Sequence, residues 1–185
     1  MRRVVAAIAT GVVLAQGLPA NAQTAQSVVG LKYQVTSEPG QQPVYRNLPK
    51  GLKPLSSGLI GNLAADKPYA IATYQQGDRQ VLWLEQAVSR KAIRRPDGYF
   101  NDITWQVFDA VTLPSGASVL GGTTCYRNGK ADSTLIPVLS KQALRRGDRE
   151  WYTTFEQMWK ANLQTKKLEK VKPQGIRCEN PAWGV

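Results

Sequence analysis

Between residues 69 and 139 the chain meets a turn signal before any helix has room to form. Runs of Val, Ile, Leu, Thr, Trp and Tyr are cut by Gln76-Gly77-Asp78, Pro114-Ser115-Gly116 and Asn128-Gly129. β-Branched and aromatic side chains suit a pleated, half-buried surface, while Gly, Asn and Asp supply the backbone conformations of tight turns. The pattern predicts strands at residues 69–75, 79–88, 103–113, 117–126 and 133–139, joined as an antiparallel meander.

The stretch GTTCYRNGKAD at 122–132 has the glycines and lysine of a phosphate-binding loop, but not their spacing. That loop places four residues between its glycines and a hydroxyl after the lysine, so that backbone N–H groups wrap the phosphates. Here six residues separate Gly122 from Gly129, and Ala131 follows Lys130. Asn128-Gly129 tolerates positive φ at both positions and reads instead as a type I′ hairpin turn. Nucleotide is therefore not an expected ligand.

Residues 149–164 break the strand pattern. At about 100° per residue, Trp151, Tyr152, Phe155, Met158, Trp159 and Leu163 form one apolar stripe, with Lys160 opposite and Asp148 placed as N-cap. The expected fold class is α+β: an antiparallel sheet of about five to six strands with one main amphipathic helix packed on it.

Residues 1–22 read as a secretory signal peptide. Arg2 and Arg3 supply the charged start, residues 4–18 are largely apolar, and Ala20-Asn21-Ala22 is a small-x-small cleavage pattern. The apolar stretch falls short of the roughly 20 residues that span a bilayer. Cleavage after Ala22 is expected, with no transmembrane segment remaining. Residues 23–66 are rich in Pro and Gly and read as mostly irregular, with one strand at 28–35, ahead of an α+β domain at 67–185. A partner docking on residues 39–61 is one reading of that segment.

Export to the periplasm or the extracellular space gives Cys125 and Cys178 an oxidising compartment, where an even pair is most simply one disulfide. Closing a loop of roughly 54 residues would stabilise the fold by about 4 kcal/mol on the chain-entropy view. The chain has no histidine. Two thiolates alone make a poor zinc site, so neither metal nor cofactor is expected.

The net charge is +11, or +9 without Arg2 and Arg3. Residues 90–95 carry +4 in what reads as a loop, and residues 140–185 set ten Lys/Arg against five Asp/Glu. Such a surplus attracts anionic partners through long-range, salt-screened forces. Outside the cytoplasm these are an acidic protein, a lipid surface or an acidic polysaccharide. The expected contacts are Arg90, Lys91, Arg94, Arg95, Arg145, Arg146 and Arg149. Export and the lack of any RNP, zinc-finger or helix-turn-helix pattern argue against nucleic acid.

Without histidine the usual triads are unavailable, and neither G-x-S-x-G nor S-x-x-K occurs. One arrangement invites chemistry. Strict alternation puts Asp109 on a face with Ile103, Trp105, Val107, Val111 and Leu113, and Glu85 follows Val81 and Trp83. Two half-buried carboxylates on one sheet suit general acid/base hydrolysis. The leading expectation is an exported, soluble, non-enzymatic binding protein with a basic surface. The alternative is a carboxylate-based hydrolase using Glu85 and Asp109.

At "GTTCYRNGKADSTLIPVL" and "QGIRCENPAWGV" the C-terminal third resembles small exported cyanobacterial proteins with no assigned activity. The resemblance implies the periplasm or thylakoid lumen and carries over no catalytic residue.

Overall fold

The computed structural model describes residues 25–37, 40–61, 65–95, 98–144 and 149–183. The expected signal peptide, Asp148, Arg145 and Arg146 lie outside the described residues, as do the side chains of Arg94 and Arg95.

The chain is almost entirely β. Strand accounts for 58% and helix for 4%, and no helix reaches seven residues among the described residues. After a 3-10 turn at Ala25–Val28 come β1 (Lys32–Ser37), β2 (Val44–Arg46), β3 (Leu52–Ile60), β4 (Tyr69–Gln76), β5 (Arg79–Arg95) and β6 (Gly98–Thr112). Next are β7 (Ala117–Val119), β8 (Cys125–Arg127), β9 (Lys130–Ala131), β10 (Leu135–Ser140) and the one-turn α1 (Lys141–Leu144). The chain ends with β11 (Trp151–Tyr152), β12 (Gln157–Asn162), β13 (Lys167–Lys170) and β14 (Ile176–Glu179).

The first six strands form one antiparallel sheet in the order β2-β1-β6-β5-β4-β3. Laid flat, its outer strands would lie about 24 Å apart, at roughly 4.8 Å per strand. Yet Arg46 at the end of β2 and Leu52 at the start of β3 are six residue steps apart, a reach of at most about 22 Å when fully extended. The link is not extended: Asn47 (φ 62°) and Gly51 (φ 85°) both turn through the left-handed region. The sheet must therefore curl, bringing its outer strands β2 and β3 toward each other, though the two are not paired.

The interior of the roll holds Tyr33, Tyr74, Trp83, Trp105, Val81 and Val107, with Ala70, Ala72, Ala87 and Ala110 making room for the rings. The outer face of β4, β5 and β6 presents Ile71, Leu82, Leu84 and Val111. Onto it packs a second sheet, ordered β13-β12-β10-β7, through Ile136, Val138, Ala161 and Leu168. A third sheet, β11-β14-β8-β9, sits beside Leu135 and Met158. Cys125 and Cys178 face each other across β8 and β14, joined as a disulfide with Cα atoms 4.0 Å apart.

The α+β expectation is overturned, because residues 149–164 form strands β11 and β12 rather than a helix. Their aromatic spacing fits a helical stripe, but Trp, Tyr and Thr also favour strands, and pairing partners decide. Met158 opposes Pro137 of β10, and Trp159 opposes both Ile136 of β10 and Lys170 of β13. The run then stops where the Asn162 side-chain oxygen accepts from the Gln164 and Thr165 N–H groups, each at 3.1 Å, with Lys166 at φ 57°. Such local side-chain bonding competes with helix formation.

Three smaller differences bear on the site. The segment 23–66 contributes β1, β2 and β3 to the main sheet, with Pro54 tolerated because β3 is an edge strand. The strand expected at 117–126 splits into β7 and β8, which join different sheets on either side of Gly121-Gly122. The basic segment 90–95, read as a loop, is the end of β5.

Candidate functional site

Glu85 and Asp109 lie on opposite faces of the rolled sheet. Along β5 and β6, Glu85 pairs with Val107 and Leu84 pairs with Asp109, so Phe108 is an extra residue, a β-bulge. A bulge shifts the alternation by one. Val107 therefore points to the concave face with Glu85, whereas Asp109 points to the outer face beside Leu84. The strict alternation assumed from sequence fails at this one residue, and the paired-carboxylate arrangement fails with it.

Each carboxylate has its own partners. Glu85 is 1% exposed and accepts a hydrogen bond from the Tyr33 hydroxyl at 2.6 Å, which in turn accepts from the Tyr74 hydroxyl at 2.7 Å. Burial pushes the Glu85 carboxyl up to about 8, and the Tyr33 hydrogen bond offsets only part of that. Burial, then the nearby Glu85 charge, raises Tyr33 and Tyr74 as well. The Trp83 ring lies 4.1 Å from that of Tyr74, tilted by 36°, and its buried Nε1 finds no acceptor among the described residues. Asp109 Oδ2 accepts from the Leu168 N–H at 2.8 Å, and Oδ1 lies 3.4 Å from Lys167 Nζ. Asp109 thus ties the second sheet to the first. Tyr33 and Tyr74 were not read from sequence as partners of Glu85, because their meeting depends on how the sheet rolls.

The basic residues separate as well. β4 pairs with β5 as far as Gln86, with the Ala87 N–H still donating to the Pro68 carbonyl, and the described part of β1 pairs with β6 no further toward the hairpin tip than Asn101. Among the described residues, 92–95 and 98–100 pair only with each other, as a two-stranded ribbon with Arg94 opposite Tyr99 and Arg95 opposite Gly98. Arg90 and Lys91 stand exposed at its base, opposite Ile103 and Asp102. Among the described residues neither has a carboxylate within ion-pair distance, and Asp102 accepts instead from the Thr36 hydroxyl. Arg149 precedes β11 in another sheet, its carbonyl accepting from the Asn180 amide. On that sheet Arg177 stacks 4.2 Å from the Trp151 ring, a basic residue the sequence did not single out.

No group of three or more metal-ligating side chains comes together among the described residues. No helix there is long and apolar enough to cross a membrane. A cleft of about 410 Å³ opens between the β3–β4 pair and residues 119–124, with Asp132 among its lining residues. Burial raises the Asp132 carboxyl, but hydrogen bonds from Thr134 and the charge of Lys160 outweigh it and hold it below the usual range. Comparison with protein-family models, curated proteins and solved structures finds no match.

Proposed function

We propose that this chain is an exported, non-enzymatic binding protein that meets an anionic partner through the basic end of the β5–β6 hairpin. The observation that carries the reading is the ribbon's overhang. From Ala87, whose N–H still donates to the Pro68 carbonyl, β5 runs on about 26 Å to Arg95, at roughly 3.3 Å per residue. It places Arg90 and Lys91 in solvent, and among the described residues no carboxylate lies within ion-pair distance of either. Exposed, unpaired cations attract polyanions at a distance, and salt screens that attraction. The disulfide is compatible with export to the periplasm, the extracellular space or the thylakoid lumen. A hydrolase using Glu85 and Asp109 is not carried forward, since the two carboxylates share no face.

The test is replacement of Arg90, Lys91, Arg94 and Arg95 by glutamine together. Co-sedimentation with phosphatidylglycerol vesicles and retention on an acidic polysaccharide column are both measured. The reading expects loss of binding to at least one, and a similar loss for the unaltered protein at raised salt. Unchanged, salt-independent binding would sink it.

A further inference from the structure

The solvent face of the third sheet carries an arginine laid against two aromatic rings. Successive strand residues point to opposite faces. Cys125, Ile176, Cys178 and Tyr152 take the buried face, which leaves Tyr126, Arg177, Glu179 and Trp151 on the other. Register sets Arg177 opposite Tyr126 and Glu179 opposite Trp151. The Arg177 guanidinium carbon stands 4.2 Å from the centre of the Trp151 ring and 5.9 Å from that of Tyr126. The two rings meet edge to face, 5.6 Å apart at 76°.

Glu179, two residues along β14, is the nearest acid in sequence to this arginine, yet it is engaged elsewhere. Its Oε1 accepts from the Tyr126 hydroxyl at 2.9 Å, and no carboxylate among the described residues lies within ion-pair distance of Arg177. Stacking covers the flat face of the guanidinium, while the residue stays exposed. A guanidinium held flat against an indole has given up rotamer freedom in advance, so less is lost when a ligand arrives. Its planar fork of donors matches a carboxylate through two parallel N–H···O bonds.

Beside the fork stand an acceptor and an apolar surface. Glu179 Oε2 receives no hydrogen bond among the described residues and can accept from a hydroxyl. The Tyr126 ring offers a flat apolar body with its polar tip already tied down. A carboxylate, a neighbouring hydroxyl and a flat C–H face occur together on a uronic acid ring, whereas an acidic peptide side chain brings the carboxylate alone. We infer that Arg177, Trp151, Tyr126 and Glu179 bind a uronic acid residue of an acidic polysaccharide, its carboxylate on Arg177 and a ring hydroxyl on Glu179. The site lies in a different sheet from the β5–β6 ribbon, so either can stand without the other.

The oxidised protein, labelled with nitrogen-15, is titrated with the trimer of galacturonic acid at about 0.15 M salt, where long-range attraction is screened. Saturable shifts are expected at the Trp151 indole N–H and at the backbone amides of residues 126 and 177–179. The trimer methyl-esterified on its carboxyls should not bind, which tests the fork without altering the protein. Arg177→Lys keeps the charge but loses the fork, and should weaken binding about tenfold or more. Replacing Arg90, Lys91, Arg94 and Arg95 by glutamine should leave these shifts in place. Absence of saturable shifts at millimolar trimer overturns the inference, as does unchanged affinity on esterification or in Arg177→Lys. Equal affinity for tetra-aspartate overturns it as well, since an acidic protein would then suffice. Loss of the shifts in the quadruple glutamine variant, or shifts confined to residues 90–95, overturns it while leaving the ribbon reading intact.

Discussion

The Tyr33 hydroxyl donates to Glu85 Oε2 at 2.6 Å on the concave face of the six-stranded sheet, joining β1 to β5 across the intervening β6. This contact places a carboxyl where its charge is costly, and a carboxyl so buried stays protonated until its pKa of about 8. Tyr33 and Tyr74 are the hydroxyls of the chain of bonds that ends on it, and Tyr45 packs against Tyr33 from β2. No basic side chain is bonded to Glu85 among the described residues.

Stability should therefore fall as pH rises through the neutral range. Below the usual carboxyl value of 4.5 both folded and unfolded chains hold the Glu85 proton, and its favourable contribution is whole. Between there and about 8 only the unfolded chain releases it, so each pH unit costs up to about 1.4 kcal/mol. Above about 8 the loss is complete. Asp132 acts in the opposite direction and in a separate window, losing its contribution as pH falls through its lowered value. Urea midpoints at pH 5 and pH 8 check the claim. Glu85→Gln should flatten the dependence and raise the pH 8 midpoint, and a wild-type midpoint that is the same at both pH values would refute it.

What could be read from the sequence was what short-range chemistry decides. Asn128 and Gly129 adopt φ 50° and 79°, as their tolerance of positive φ requires, and Arg127 pairs with Lys130 across them. The bond between Cys125 and Cys178 was likewise legible, since two cysteines allow one pairing. The rest depended on partners distant in the chain. Trp151 to Leu163 satisfy helical spacing and strand propensity equally well, and β10 and β13 decide between them. Phe108 carries no local mark of a bulge, yet it sends Asp109 to the other face. Ser56 to Ile60 looked irregular because Pro54 and Gly58 break central strands, and nothing local announces an edge.

Asp109 is a structural tie, and its substitutions should separate two contributions. Asp109→Ala leaves the Leu168 N–H without its acceptor beneath the second sheet, a loss of about 1–3 kcal/mol. Asp109→Asn keeps an oxygen able to accept from Leu168 and loses only the charge pairing with the half-exposed Lys167, a cost of up to about 1 kcal/mol. Thermal or urea unfolding of both variants measures the difference. Equal losses for Ala and Asn would show that the charge, not the backbone bond, holds the sheets together.

The disulfide should matter most to the third sheet. Its strands are short: β11 and β9 have two residues each, β8 three and β14 four. Little backbone bonding holds such strands together, and the bridge joins the two central ones at directly opposed positions. Replacing Cys125 and Cys178 by serine should cost roughly 2–5 kcal/mol overall. Exchange of backbone amides in β8 and β14 should accelerate more than in β5 and β6, whose long pairing and buried rings are unaffected. In the unaltered protein an alkylating reagent should label neither cysteine before reduction. Uniform acceleration across all three sheets would show instead that the bridge acts on the whole fold through the unfolded chain.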